Sequence, residues 1–251
     1  MAEPVRVPPA PGRTDPDPLA WLTGLEGVPS GLAAARDGID ALLRDRGLRQ
    51  TSPEQTAESL LRGAHASAVL EGSASTLEDV RAGDGDEIAR AALRVSTGML
   101  ALVPVITTTP AQAFARLHAL AGKGDVTDET LGKPVSPDAA ARLGGLSTTL
   151  LTTGAPALLI AAVVHADLIT VAPFASYNGL VARAAERLLL VARSVDPASV
   201  VVPEAGHLAL RPQYESNLRG YRDGGRSGLH AWLLYAAEAV TKGVEASPLN
   251  D

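Results

Sequence analysis

His165-Ala-Asp-Leu-Ile-Thr-Val-Ala172-Pro173-Phe174-Ala175-Ser176-Tyr177-Asn178-Gly179-Leu180-Val-Ala-Arg183 is the stretch whose reading decides the fold. It continues the most apolar run of the chain, residues 155–164, which predicts a buried helix over 155–171. Pro173-Phe174 and Asn178-Gly179 are turn punctuation. Apolar residues then resume at helical spacing, predicting a second helix over 179–194.

Outward from this pair, helix signals recur. Ser52-Pro53-Glu54-Gln55 reads as a capping box with proline at the first helical position, and Thr109-Pro110, Ser136-Pro137 and Asp196-Pro197 repeat the pattern of a cap followed by proline. Each is expected to open a helix. Spacing places further helices at 31–47, 53–70, 76–82, 86–103, 110–122, 137–152, 203–209, 211–222 and 228–242. Strand-like density is confined to 200–202 and 103–107, too short and isolated to build a sheet. The expectation is one all-α helical domain over 19–251, preceded by a proline-rich disordered tail over 1–18.

Composition excludes several classes of function. With 22 Lys and Arg against 28 Asp and Glu, the net charge of −6 offers no positive field for nucleic acid. The absence of cysteine removes disulfides, thiolate nucleophiles and Cys-ligated zinc. Residues 155–164 fall short of the roughly 20 apolar residues that span a bilayer, so no membrane role is expected and a cytoplasmic location is. His118, His207 and His230 lie far apart with no partner at metal-ligand spacing, so no metal site is expected. His165, on an apolar helix, reads as a hydrogen-bonded core histidine. Trp232, Leu233 and Tyr235 read as packing residues of the last helix, with Gly224-Gly225 the connector before it.

The deciding stretch resembles the Fic motif, His-Pro-Phe-x-Asp-Gly-Asn-Gly-Arg-x-x-Arg, preceded in the family by an apolar helix carrying its own histidine seven residues earlier, as His165 does. Pro173, Phe174, Asn178, Gly179 and Arg183 match in register. Ser67-Ala-Val-Leu-Glu71-Gly72 is similar to the family's inhibitory helix, placed ahead of the core as in class II members; Leu117-His118 resembles a core pair, and Tyr214 stands at the usual tyrosine of the closing helices. The resemblance places the inhibitory region at about 53–82 and the core at about 86–242.

Departures from the motif bear on chemistry. The family's general base, a histidine, is Ala172 here, and loss of a positioned base costs about 10²–10⁴ in rate. The magnesium-holding aspartate is Ser176, a poor sole ligand. Tyr177 replaces the glycine that lets backbone amides approach phosphate, and Leu180 replaces the first arginine. Where the family carries a β-hairpin flap, 122–133 is short and reads as a small helix with turns.

What remains of the resemblance is a salt bridge between Glu71 and Arg183, against the alternative of a local Arg183–Glu186 pair. The expectation is a Fic-like pseudoenzyme, without AMP transfer or cofactor, that serves an unidentified protein partner as a binding or regulatory scaffold. The alternative is a divergent nucleotidyl- or phosphotransferase that takes ATP and magnesium and holds the anion with Asn178, Gly179 and Arg183. A third reading is a structural protein that shares only the helical packing.

Overall fold

A computed structural model of the chain describes residues 17–44 and 51–251. The described residues are helical, with no strand: α1 (Val28–Arg44), α2 (Pro53–Leu70), α3 (Leu77–Ala82), α4 (Glu87–Met99), α5 (Val103–Ile106), α6 (Pro110–Gly122), α7 (Pro137–Thr152), α8 (Ala157–Val171), α9 (Asn178–Ala192), α10 (Pro203–Ala209), α11 (Arg211–Asp223) and α12 (Gly225–Glu245). Three 3₁₀ turns, Ala20–Gly24, Leu100–Leu102 and Pro248–Asn250, complete them.

α8 and α9 pack against each other at the centre, and every residue of α8 from Leu158 to Leu168 is buried. The other helices surround them. α2 and α6 lean on α4 and α9, α7 covers α8, and α10, α11 and α12 close the far side. Trp232 on α12 donates its indole N–H to the Ala162 carbonyl of α8 at 2.8 Å. α10 meets α12 backbone to backbone, because Gly206 and Gly243 carry no side chain: a methyl on Gly206 would overlap the Ala239 carbonyl, and one on Gly243 would lie 2.9 Å from the Val202 carbonyl.

Capping residues set the helix starts as expected at Ser52, whose hydroxyl accepts from Gln55 N while Gln55 Oε1 accepts from Ser52 N, and at Ser136. Thr76 and Asp79 form a second reciprocal box at α3. Asp196-Pro197 opens no helix, because the Asp196 carboxylate turns to Val201 N at 2.8 Å and Ser194 and Ser199 take left-handed backbone angles, making a compact loop. Residues 103–106 are helical despite their valines, burial of Ile106 outweighing β preference. The segment 123–136 holds turns and no helix.

Other boundaries shift. α1 begins at Val28, and the expected end of that helix at 45–47 lies outside the described residues, as do residues 1–16 of the expected tail. Asp17 and Pro18, assigned to that tail, belong to the folded body: the Asp17 carboxylate accepts from Leu19 N, Thr153 Oγ1 and Gly154 N at 2.7–2.9 Å. α12 runs from Gly225 to Glu245, longer than the spacing suggests. By length and composition alone, the run Glu87–Ile106 is apolar enough to cross a bilayer. Here it packs on α2, α6 and α9, and its Arg94 holds the Leu120 and Ala121 carbonyls at 3.1 and 2.7 Å.

Candidate functional site: the loop between α8 and α9

The chain leaves α8 through Ala172 in the left-handed region (φ 47°), which ends the helix, and enters α9 through Tyr177 in the same region (φ 57°). Asn178 clasps the intervening loop by itself: its Oδ1 accepts from Phe174 N at 2.9 Å and its Nδ2 donates to Phe174 O at 2.8 Å. Phe174 stacks on His118 with ring centres 4.5 Å apart. His118 Nδ1 in turn accepts from Gly132 N at 2.8 Å, and the Pro173 carbonyl accepts from Val135 N at 2.9 Å. The segment that stands where a flap would be is thereby tied to the loop.

The remaining motif positions divide between solvent and core. Ala172 is exposed, Leu180 is buried among apolar side chains, and Ser176 Oγ is buried with no hydrogen-bond partner among the described residues. The Tyr177 hydroxyl donates to Asp125 Oδ2 at 2.7 Å; burial, then this carboxylate, pushes it up to about 12.

Ser67, Glu71 and Arg183 come together as the resemblance implied. Arg183, 1% exposed, donates from Nε to Ser67 Oγ at 2.7 Å, from Nη2 to the Ser67 carbonyl at 3.2 Å and to Glu71 Oε1 at 2.7 Å, and from Nη1 to Tyr214 Oη at 3.1 Å. Gly72 (φ 95°) turns the chain directly after Glu71 at the end of α2. The Glu71 carboxylate lies against Gly179, in the first turn of α9, where a methyl would overlap Oε1. An intramolecular carboxylate therefore stands at the positive end of α9, the position where a helix start receives anions.

Behind Arg183 lies a network that sequence spacing missed. Glu186 Oε2 sits 2.6 Å from His165 Nδ1 and 2.9 Å from His207 Nε2; His165 Nε2 is 2.8 Å from Tyr214 Oη, and His207 Nδ1 is 2.8 Å from Tyr235 Oη. One assignment of protons satisfies all of these contacts. Glu186 is ionised and accepts from both imidazoles, each neutral, while Tyr214 and Tyr235 donate to the remaining ring nitrogens and Tyr214 also accepts from Arg183. Burial, partly offset by Glu186, pushes His165 down to about 4. For Glu186 burial opposes ionisation, but His207 and His165 outweigh it and hold the carboxyl below its ordinary value. Burial raises Tyr214 to about 12 against the pull of Arg183.

The expected dispersal of His207 is thus corrected, because α10 folds back over α9 and brings it to His165. His165, Glu186 and His207 offer three possible metal ligands within 4.8 Å of one another. As placed, their facing atoms share protons, and the buried Arg183 beside Tyr214 adds positive charge that disfavours a cation there. The visible signal was Glu186-Arg187, with Arg183, among the apolar residues of one helix, since buried charges demand partners. Arg183 and Glu186, weighed as a local pair, instead serve Glu71 and the two histidines.

This arrangement of α8, loop and α9 within a helical shell is found in solved proteins. It is the Fic fold. A Fic family protein from Desulfovibrio desulfuricans G20 superposes with a TM-score of 0.70 at 16% identity, over 86% of this chain and 73% of that one. Residues 134–508 of Fic-1 from C. elegans give 0.67 at 14% identity, over 87% and 71% of the two chains. A variant of the same Fic-1 segment gives 0.64 at 15%. No family model and no curated protein matches the sequence.

A nucleotide with magnesium, the pair that the Fic resemblance implies, does not fit the residues present. Glu71 fills the start of α9, Ser176 supplies one neutral hydroxyl where the resemblance asks for a carboxylate, and both ends of the Asn178 amide are engaged by Phe174. His118 and His165 are both buried: His165 has both ring nitrogens hydrogen-bonded, whereas His118 stacks on Phe174 and accepts at Nδ1 from Gly132 N, so its Nε2 carries the ring proton and has no partner among the described residues.

Proposed function

We propose that this protein is a Fic-fold pseudoenzyme: it transfers no AMP and acts as a binding or regulatory scaffold for a protein partner in the cytoplasm. The observation that carries the reading is Ala172. A methyl group on an exposed left-handed residue stands where the motif calls for a proton acceptor, while both ring nitrogens of His165 are engaged and the buried His118 already accepts at Nδ1 from Gly132 N. In this reading the Glu71–Arg183 pair restrains no chemistry and stabilises the union of α2 and α9.

The test is incubation of the purified chain with labelled ATP and magnesium, alone and with cell lysate, beside a Glu71→Gly variant that frees Arg183. Neither form is expected to label itself or any lysate protein. Transfer by either form overturns the reading. Thermal-shift titration with ATP and ADP addresses the rival, a divergent nucleotidyl- or phosphotransferase using Asn178, Gly179 and Arg183. No shift is expected for the unaltered chain; a saturable one that Arg183→Gln abolishes would favour the rival.

A further inference from the structure

A groove of about 540 Å³ lies between the start of the folded chain, α7, α8 and the α11–α12 pair. Its volume is within the range of small-molecule sites, roughly 300–1,000 Å³. Asp167, on its wall, is two residues from His165 on α8. Successive helical residues are about 100° apart, so the two side chains leave opposite faces of the helix, and the groove is separate from the Glu186 network.

The lining is mostly apolar, with Leu19, Leu22, Leu146, Val163 and Leu229. Three polar groups converge on it. Asp167, 4% exposed, accepts from Arg142 Nε at 3.1 Å and from Nη2 at 2.5 Å. The Arg142 side chain is 60% exposed and spends two of its five N–H groups on Asp167, and Nη1 has no partner among the described residues. The Tyr221 hydroxyl also has no hydrogen-bond partner among the described residues; burial, then the Asp167 charge, raises it above its ordinary value, which keeps it a donor. At the rim Trp21 is 45% exposed, with the Arg226 guanidinium 5.0 Å from its ring centre. Within the lining the charges of Arg142 and Asp167 balance, and Arg226 beside Trp21 adds a positive charge at the rim.

We propose that this groove binds a monocarboxylate with an aromatic or aliphatic body, its carboxylate accepting from Arg142 and Tyr221 and its body lying along the leucines beneath Trp21. A carboxylate satisfies donors that are otherwise left to water, and an apolar body covers surface that is otherwise exposed. A cationic ligand would meet Arg142 and Arg226 with its own charge.

The test is calorimetric titration of the full chain with phenylacetate, indole-3-acetate and octanoate, beside phenethylammonium and octylammonium as cations of matched shape. Saturable binding of at least one carboxylate and none of the ammonium ions is expected. Tyr221→Phe, which keeps the ring, should weaken it roughly tenfold, as loss of one hydrogen bond to a charged group does. Gly145→Phe supplies a blocking variant that should fold: Gly145 lines the groove, a Cβ there meets nothing within 4 Å, and replacing a mid-helix glycine favours α7. It should abolish binding while circular dichroism and Tm stay at or above the parent's. No binding of any carboxylate, equal binding of the ammonium ions, or undiminished binding by Gly145→Phe each overturns the proposal. These outcomes are independent of the AMP-transfer assay, which reads chemistry at Ala172 rather than binding at Arg142 and Tyr221.

Discussion

At its first turn α9 meets a loop held by one asparagine amide, with Ala172 open to solvent; two turns further along, Glu186 is 2% exposed and shared by two histidines that are each held again by a tyrosine. Both regions are polar, and both flank the same helix. They differ in what a lost group would cost. In the loop, a missing side chain leaves water to satisfy its neighbours. In the network it leaves a buried donor or charge with nothing, so the polar groups there are bound up with folding itself. A cleft can therefore lose its chemistry while the scaffold behind it stays intact.

The largest effect expected from this contrast is on Glu186→Ala, which strands the N–H groups of His165 and His207. It should destabilise the fold by about 2–6 kcal/mol in denaturant titration, at roughly 1–3 kcal/mol for each of the two buried donors left without a partner. A loss under about 1 kcal/mol would break the comparison, placing the network with the loop.

Acidification sharpens it. His165 is neutral in the folded chain down to about pH 4, whereas an ordinary imidazole protonates near 6.5. Below about 6.5 the unfolded chain takes up a proton that the folded chain refuses, so stability should fall as pH falls through this window, by up to roughly 1.4 kcal/mol per pH unit for this group. Glu186, held below its ordinary value, adds a loss of the same sign at lower pH. His165→Gln should flatten the upper part of the curve; an unchanged slope would assign the pH dependence elsewhere.

Gly179→Ala probes the seam between the regions, since the added methyl displaces Glu71 and leaves Arg183 without its carboxylate. A loss of about 1–3 kcal/mol is expected, discounted because Glu71 is partly exposed. The smallest effect belongs to the loop: Ala172→Gly relieves a left-handed alanine and should raise stability by about 0.5–1 kcal/mol, read as an increase in Tm.

The contrast also explains what was legible in the sequence. Helices that start at Ser52 and Ser136 were readable because caps act through neighbours in the chain, and α6 was readable from proline at its first position, Thr109 making no capping bond. The Glu71–Arg183 contact was readable only through the motif, since its members are 112 residues apart. His207 was not readable: nothing in its local spacing says that α10 will lie over α9, and Tyr235 reaches it only once α12 has packed. Asp196-Pro197 misled for a related reason, its carboxylate serving Val201 inside a tight loop rather than a helix start. The boundary near residue 18 moved because Asp17 finds its partners at Thr153 and Gly154, far along the chain.

The bare α-carbon of Gly206 lets α10 and α12 touch, and those helices carry His207 and Tyr235. Adding a single carbon at Gly206 would act as a spacer, prying the imidazole from the phenol without altering either. The reach of the proton chain into the last helix is set by an atom that is missing, and a screen confined to ionisable residues would never find its most sensitive position.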